Sequence, residues 1–187
     1  MSLLAMRGIA CERGGRLLFE ALDLILEPGG AVLVIGPNGA GKTSLIRIAA
    51  GLLRASAGEI ERPEAMALAD EGLALDSRVG LGRALGFWAR IDGAAAGVGL
   101  EAMGIAHLAA VPVHMLSTGQ RKRAVLARVV ACAAPLWLLD EPLNGLDGEG
   151  CARIEAAMAA HRSKGGAILA ASHMPLALPD ATEVLLG

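Results

Sequence analysis

Two glycines, a lysine and a threonine stand at the spacing Gly36-x4-Gly41-Lys42-Thr43. Glycine lets consecutive backbone N–H groups point at an anion that a side chain would obstruct. The segment follows the apolar run Ala31–Ile35 and precedes a helical pattern, which is the context of a phosphate-binding loop. We expect Lys42 to bridge the β- and γ-phosphates of a nucleotide and the Thr43 hydroxyl to bind Mg²⁺. The predicted loop consists of Gly36, Pro37, Asn38, Gly39, Ala40, Gly41, Lys42, Thr43 and Ser44.

Two carboxylates end a second apolar run. Leu136–Leu139 is followed by Asp140 and Glu141, and open α/β sheets bind ligands at the carboxyl ends of their strands. Asp140 is predicted to hold Mg²⁺, directly or through water, and Glu141 to act as general base toward a water that attacks the γ-phosphate. Acidic residues also end strands for structural reasons, but the phosphate loop upstream favours the catalytic interpretation.

His173 is interpreted as a functional residue, and the basic run Arg121–Arg123 as a solvated surface. His173 follows the apolar run Ala167–Ala171. A lone histidine after a strand is usually structural, but carboxylates predicted at the same sheet edge favour a catalytic role here. The run Arg121–Arg123 places only three charges on a chain of net charge −2. We therefore expect a solvated face there rather than a nucleic-acid contact.

Strand and helix patterns alternate along the chain, which predicts an α/β fold with a parallel central sheet, flanking helices and a small N-terminal antiparallel sheet. Residues 1–187 are expected to form one domain, with a loosely helical subdomain at roughly 76–133. The predicted strands are Ser2–Ala10, Leu17–Leu26, Ala31–Ile35, Leu136–Leu139 and Ala167–Ala171. The predicted helices are Lys42–Leu52, Ser117–Ala133 and Glu149–Ser163, and the stretch Asp76–Val111 is rich in alanine and glycine.

The chain is apolar for a protein without a membrane span. Apolar residues make up 54% and charged residues 19%. The longest uncharged run, Ala102–Gln120, is too polar to cross a bilayer as a helix. Arg7 and Glu12 stand where a signal peptide would have its apolar core. We therefore expect a soluble chain whose excess apolar surface is covered by a partner. The predicted reduced thiols are Cys11, Cys132 and Cys151.

Together with the phosphate loop, the carboxylates Asp140 and Glu141, and His173, two further segments resemble the motifs of the ABC-type ATPases, in that family's order. These segments are Leu116–Gln120 (LSTGQ) and Asn144–Asp147 (NGLD). The resemblance implies a P-loop NTPase fold of the ABC type that closes on ATP as a nucleotide-sandwich homodimer. It implies that Asp147 lies at the dimer seam and that His173 contacts the γ-phosphate and helps to position the attacking water. The residues that it assigns to the γ-phosphate of the opposite subunit are Ser117, Gly119 and Gln120.

Two motifs of the family are altered. Family members usually stack an aromatic residue on adenine from the first N-terminal turn, where this chain has Arg13 and no tyrosine at all. A guanidinium also stacks on bases, so Arg13 and Phe19 are both candidates. The segment that corresponds to the family's glutamine loop, Leu68–Gly72, has no glutamine. Either Asp70 or Glu71 takes the metal there, or the segment forms only an acidic turn.

Within the family the chain is most similar to the ATP-binding subunits of cytochrome c maturation systems, in the stretches Glu12–Leu26, Leu85–Gly93 and Pro135–Asp147. The resemblance implies ATP-driven haem export or delivery with an integral-membrane, CcmB-like partner subunit, at the cytoplasmic face of the bacterial inner membrane. Phe87 and Trp88 lie where the family docks that subunit, unless they pack in the core.

Other functions stay open at this point. The alternatives are the ATPase subunit of another ABC transporter, for a lipid, a drug or a metal, and a non-transport ABC ATPase. His114 and Met115 could form a haem ligand pair, but ordinary packing beside LSTGQ is expected, so neither direct haem binding nor nucleic-acid binding is predicted.

Overall fold

The computed structural model describes residues 2–70, 72 and 75–187. The chain forms two compact units. Unit 1 comprises the chain up to Leu68 together with Ala134–Pro142 and Ala159–Gly187. Unit 2 comprises Ala69–Ala133 and Leu143–Met158.

Two β-sheets organise unit 1. The first is antiparallel with the strand order β2-β1-β4, and the second has the order β5-β6-β7-β3-β8. Strands β6, β7, β3 and β8 are paired in parallel. The strands are β1 (Leu4–Arg13), β2 (Arg16–Leu26), β3 (Ala31–Ile35), β4 (Ala57–Glu61), β5 (Met66–Ala69), β6 (Leu136–Asp140), β7 (Ala167–Ala171) and β8 (Thr182–Leu185). Every residue of β6 and β7 is buried, as expected for central strands covered on both faces.

Helix α1 (Lys42–Ala49) follows β3 and contributes to the core of unit 1. Its buried side chains, among them Ile46, join one hydrophobic cluster with Met6 of the antiparallel sheet and Leu138 of the parallel sheet. The core therefore extends over both sheets and holds the start of α1 at the carboxyl end of β3.

Unit 2 is helical. It contains α2 (Leu81–Ile91), α3 (Ala96–Ala102), α4 (Thr118–Ala131), the greater part of α5 (Gly148–Ser163), and the 3₁₀ turns Ala106–Leu108 and Val113–Met115. Helices α3 and α4 pack so closely that a Cβ atom at Gly99 would overlap the carbonyl oxygen of Ala127. In the described ranges of the chain, no helix combines the length and the hydropathy that a membrane span requires.

The predicted fold class is confirmed by both sheets and by the helices. Strand β1 begins later than predicted and continues to Arg13, so the hairpin turn consists of Gly14 and Gly15, both at positive φ. The strands β4, β5 and β8 were not predicted. The three cysteines are free thiols, and Cys11 is buried.

Candidate functional site

The phosphate loop connects β3 to α1 in unit 1, and its glycines adopt conformations that other residues rarely take. Gly36 has φ 150°, and a Cβ atom there would overlap the carbonyl oxygen of Leu186. Gly41 has φ 103°, and a Cβ atom there would lie 3.0 Å from the ring of Phe19. Both positions thus require glycine, and the loop follows a path that brings its backbone to the surface at Asn38 and Gly39.

Lys42 is the first residue of α1 and is only 6% exposed. Its Nζ donates hydrogen bonds to the carbonyl oxygens of Gly36, at 2.8 Å, and Pro37, at 3.2 Å. The same atom lies 4.0 Å from Oε1 of Glu141. The loop therefore encloses a buried cation that lies close to the carboxylate of Glu141, which follows β6.

The N-terminus of α1 suits an anion. Its first turn carries no acidic side chain and, in this described stretch, no side chain caps it. Helix N-termini leave several N–H groups without intrahelical acceptors and carry partial positive charge. Thr43 is exposed and Ser44 partly exposed in this first turn. The positive end of α1 is therefore left to bind a phosphate.

Two carboxylates and a histidine meet at the carboxyl ends of β6 and β7. Asp140 is 3% exposed. Oε2 of Glu141 lies 2.7 Å from Nδ1 of His173 and accepts a hydrogen bond of 3.2 Å from its backbone N–H. Glu141 has φ 47°, a left-handed conformation that costs a non-glycine residue about 1–3 kcal/mol. Such strain occurs where a side chain must be aimed, which makes Glu141 a candidate for function.

Ser172 orients the turn that carries His173. It is 1% exposed, its N–H donates to the carbonyl oxygen of Val34, and its Oγ donates to the carbonyl oxygen of Met174 and accepts from the N–H of Met174. No role is predicted for Ser172 from the sequence. A serine between a buried strand and a loop is a weak signal for such a turn.

The LSTGQ segment starts α4 in unit 2. Ser117 is the N-cap, and its Oγ accepts from the N–H of Gln120 while Oε1 of Gln120 accepts from the N–H of Ser117. This reciprocal capping box fixes the start of the helix. The segment lines a cavity of about 320 Å³. The cavity is lined by Gly104, Ile105, His107, Leu108, Ser117, Gly119, Gln120, Arg123, Gly145 and Asp147.

The expected solvated face at Arg121–Arg123 is wrong for Arg123. This residue is buried, at 9% exposure, and its guanidinium is paired with the carboxylate of Asp147. Asp147 is exposed, and its hydrogen bond from Arg123 lowers the pKa of its carboxyl below the ordinary value. The partner lies 24 residues away in sequence, so no local pattern in the basic run announces the pair.

The candidates for adenine and for the altered glutamine loop occupy different environments. Phe19 is buried in the core of unit 1 beside Gly41, whereas Arg13 is exposed at the end of β1. Oδ1 of Asp70 accepts from the N–H of Gly72 at 2.9 Å, which is the hydrogen bond of a turn. Glu71 lies outside the described residues.

The aromatic pair of unit 2 is not core. Phe87 is 51% exposed, and the guanidinium of Arg128 lies 3.8 Å above the ring centroid of Trp88.

His114 and Met115 lie next to LSTGQ. Nδ1 of His114 lies 2.9 Å from the carbonyl oxygen of Ser77, while Met115 is 66% exposed. The described structure therefore places the His114 ring in an ordinary hydrogen bond to the backbone.

The ABC transporter family model matches residues 19–144. The cytochrome c biogenesis ATP-binding export protein CcmA of Sphingopyxis alaskensis is 56% identical over 99% of this chain and 97% of the relative. The protein of the same name from Novosphingobium aromaticivorans is 58% identical over 91% of this chain and 88% of the relative. The similarity therefore extends over nearly the full length of these proteins.

Solved structures share the fold. The ATP-binding subunit of an ABC transporter superposes with a TM-score of 0.83 over 92% of this chain and 80% of that chain, at 21% identity. The cbiO1 subunit of the cbiONQ transporter complex from Clostridium perfringens gives a TM-score of 0.73 over 92% of this chain and 79% of that chain, at 24% identity. At this identity the likeness concerns the fold alone.

Proposed function

Since this chain belongs to the ABC transporter family of ATP-binding subunits, we propose that it hydrolyses ATP to power the haem export step of cytochrome c biogenesis. The CcmA relatives are named for ATP binding and export in that process. One observation carries the hydrolytic part of the proposal. The buried ammonium of Lys42, the carboxylate of Glu141 and the ring of His173 converge within hydrogen-bond or ion-pair distance beside the phosphate loop.

Magnesium fits the donor set beside this loop. Thr43 offers an exposed hydroxyl and Asp140 a carboxylate, and Mg²⁺ prefers such oxygen ligands. The described residues include no group of three or more His, Cys, Asp or Glu side chains that could hold a metal. Two protein ligands with water and substrate phosphates are the usual arrangement for Mg²⁺. When bound, the ion neutralises charge on the β- and γ-phosphates.

The residues of unit 1 divide the chemistry. Lys42, already buried at the helix N-terminus, binds the β- and γ-phosphates by exchanging its backbone carbonyl partners for phosphate oxygens. Glu141 takes a proton from the attacking water, which general-base catalysis requires within about 2.6–3.2 Å. His173 lies 2.7 Å from the Glu141 carboxylate, and we propose that it contacts the γ-phosphate and helps to position the attacking water. Arg13, exposed at the end of β1, is the proposed adenine contact.

Unit 2 supplies the second half of a shared site. We propose that two copies enclose ATP so that Ser117, Gly119 and Gln120 of one copy meet the γ-phosphate bound by the other. The capping box fixes the start of α4 at Ser117, which is exposed, and a helix N-terminus suits an anion. Asp147 lines the same cavity as Ser117, and we propose that it lies at the dimer seam.

The partner and the location follow from the family. We propose that an integral-membrane, CcmB-like subunit provides the haem pathway and holds the chain at the cytoplasmic face of the bacterial inner membrane. The half-exposed Phe87 offers that subunit an apolar anchor. Haem is the substrate of the membrane pathway and is not expected to bind this chain directly.

A complementation experiment tests the shared site. Lys42→Ala removes the phosphate-binding cation, and Ser117→Arg blocks the helix N-terminus, so each variant alone should lack turnover. In a mixture, the heterodimer combines an intact phosphate loop from the Ser117→Arg chain with an intact LSTGQ segment from the Lys42→Ala chain. We expect phosphate release by the mixture and none by either variant alone.

Nucleotide affinity provides the control for that experiment. Ser117→Arg should bind a fluorescent ATP analogue as tightly as the unaltered chain, whereas Lys42→Ala should bind it weakly. A mixture that stays inactive although both variants are folded would contradict the site shared between copies. Turnover by Lys42→Ala alone would remove Lys42 from the site.

A further inference from the structure

Arg123 occupies an unusual place for an arginine in a basic run. Its side chain is buried on α4, one helical turn from the LSTGQ capping box. Its Nη2 is paired with Asp147 and lies 3.8 Å from Oε2 of Glu149, and its Nη1 donates to the carbonyl oxygen of Met103 at 3.3 Å. A planar guanidinium with several fixed acceptors holds a single orientation.

The partner carboxylate is held from a second side. Oδ1 of Asp147 also accepts a hydrogen bond of 2.9 Å from the N–H of Gly150 at the start of α5. A Cβ atom at Gly150 would lie 3.0 Å from Nε of Arg123, so the guanidinium packs directly on the backbone there. The exposed carboxylate of Asp147 is therefore joined to α4 and to the first turn of α5 at once.

A second arginine of the same unit offers a matched comparison. Arg153 on α5 also pairs with Glu149, at 2.8 Å, and also donates to a carbonyl oxygen, that of Ala102, at 3.3 Å. Like Arg123, it is a cation beside Glu149 that also donates to a backbone carbonyl oxygen of a neighbouring segment. Asp147 is paired only with Arg123 among the ion pairs of the described residues.

We propose that Arg123 is a positioning residue that joins Asp147 and the LSTGQ segment into one rigid group. Both line the cavity of about 320 Å³. Because a second copy must meet both of them at its bound nucleotide, the pair keeps their separation fixed when the dimer closes. This inference rests on the proposed function, since it concerns the half of the site that acts on the nucleotide of the other copy.

Four variants test this role: Arg123→Met, Arg123→Lys, Asp147→Asn and the double variant Arg123→Met/Asp147→Asn. Arg123→Met should lower kcat by roughly 10- to 100-fold, as a misplacement of about 1 Å does. It should leave the affinity of the single chain for a fluorescent ATP analogue within about twofold, because the phosphate loop belongs to unit 1. Arg123→Lys should recover part of kcat, since lysine keeps the positive charge but lacks the planar set of N–H donors of a guanidinium.

The double variant shows whether Arg123 acts through Asp147. If it does, the loss in kcat equals that of one single variant, whereas independent roles give the product of both losses. Arg153→Met is the control for general damage to unit 2 and should leave kcat within about twofold at a comparable loss in Tm.

Three results would overturn the inference. These are an unchanged kcat in Arg123→Met, multiplicative losses in the double variant, and an equal fall in kcat for Arg153→Met at equal Tm. In each case the unaltered chain still hydrolyses ATP, so the proposed function stands. A folded, unaltered chain with no ATP hydrolysis would overturn the proposed function and this inference together.

Discussion

The two units hold their polar groups by different means. In unit 1 the backbone of the parallel sheet places them: Glu141 donates its N–H to the carbonyl oxygen of Ala171, and Ser172 donates to that of Val34. In unit 2 side chains place them: Ser117 and Gln120 each accept from the other's backbone N–H in the capping box, and the guanidinium of Arg123 pairs with the carboxylate of Asp147. The first arrangement depends on buried strands and the second on a few exposed or partly buried hydrogen bonds.

This difference predicts which half of the site tolerates change. Strand ends in a buried sheet move only if the core moves, so the phosphate loop and the catalytic carboxylate should keep their geometry in most surface variants. In unit 2 the capping box and the pair of Arg123 and Asp147 each consist of a few hydrogen bonds, which a single substitution can remove. Hydrolysis should therefore be lost through unit 2 at mutations that leave nucleotide binding by unit 1 intact.

The largest expected effect is at Glu141, and it distinguishes ATP hydrolysis from closure of the proposed dimer. Glu141→Gln keeps the shape of the side chain and a hydrogen bond to His173 but removes the base, so kcat should fall by about 10²- to 10⁴-fold. ATP binding should persist, and without turnover the dimer should accumulate. Phosphate release and light scattering at saturating ATP measure the two properties. A strictly monomeric variant under those conditions would contradict the separate roles proposed for the two units. Closure of the dimer would then depend on the catalytic carboxylate itself.

An intermediate effect is expected from the contact between α3 and α4. Gly99→Ala forces a Cβ atom against the carbonyl oxygen of Ala127 and should destabilise unit 2 by about 1–3 kcal/mol, the usual cost of overpacking. Hydrogen exchange should rise in α3 and α4 and remain unchanged in β6 and β7. Gly97→Ala, at a position in α3 where a Cβ atom meets nothing, is the matched control. Equal exchange in the two variants would show that the predicted overlap has no cost.

The smallest effect concerns the pH dependence of unit 1. The ring of His161 stacks on Trp137 at 4.0 Å, and burial lowers its pKa below the ordinary 6.5. The folded protein thus resists a proton that the unfolded chain accepts, so this contribution to stability is complete above pH 6.5 and is lost as the pH falls below it. His161→Phe cannot titrate and should lose less stability between neutral and acidic pH.

Urea unfolding across that pH range measures the slope. The difference between the two proteins in mildly alkaline buffer reports any change in packing caused by the substitution and serves as the internal control. Parallel curves for both proteins would show that His161 does not contribute to the acid sensitivity of unit 1.

Buried strands and motif residues could be predicted from the sequence because their signals are local. The runs AVLVI, LWLL and AILAA are continuously apolar, and each lies in a buried strand that ends near the site. The strands β4 and β8 are short and mostly exposed, so no continuous apolar run marks them. Strand β5 is an apolar run of only four residues, MALA, which is too short to distinguish a strand from a helix. Their neighbours in the sheets determine them.

The parts of the site that were missed depend on distant partners. Burial of Arg123 follows from a carboxylate 24 residues away, and the turn at Ser172 follows from a strand that ends at Ile35. The capping box was within reach, since Ser117-x-x-Gln120 is its sequence signature. The strained φ of Glu141 has no counterpart in residue type, because glutamate rarely adopts that conformation.

The close approach of Leu186 to Gly36 has a consequence for how such loops are recognised. A side chain at position 36 is excluded by the carbonyl oxygen that follows β8, whatever the protein binds. Mutational drift could therefore erase nucleotide binding at Lys42 and still leave this glycine in place. The presence of Gly36 in a sequence therefore indicates this fold rather than ATP binding. A descendant protein that had lost its activity would still have glycine at this position.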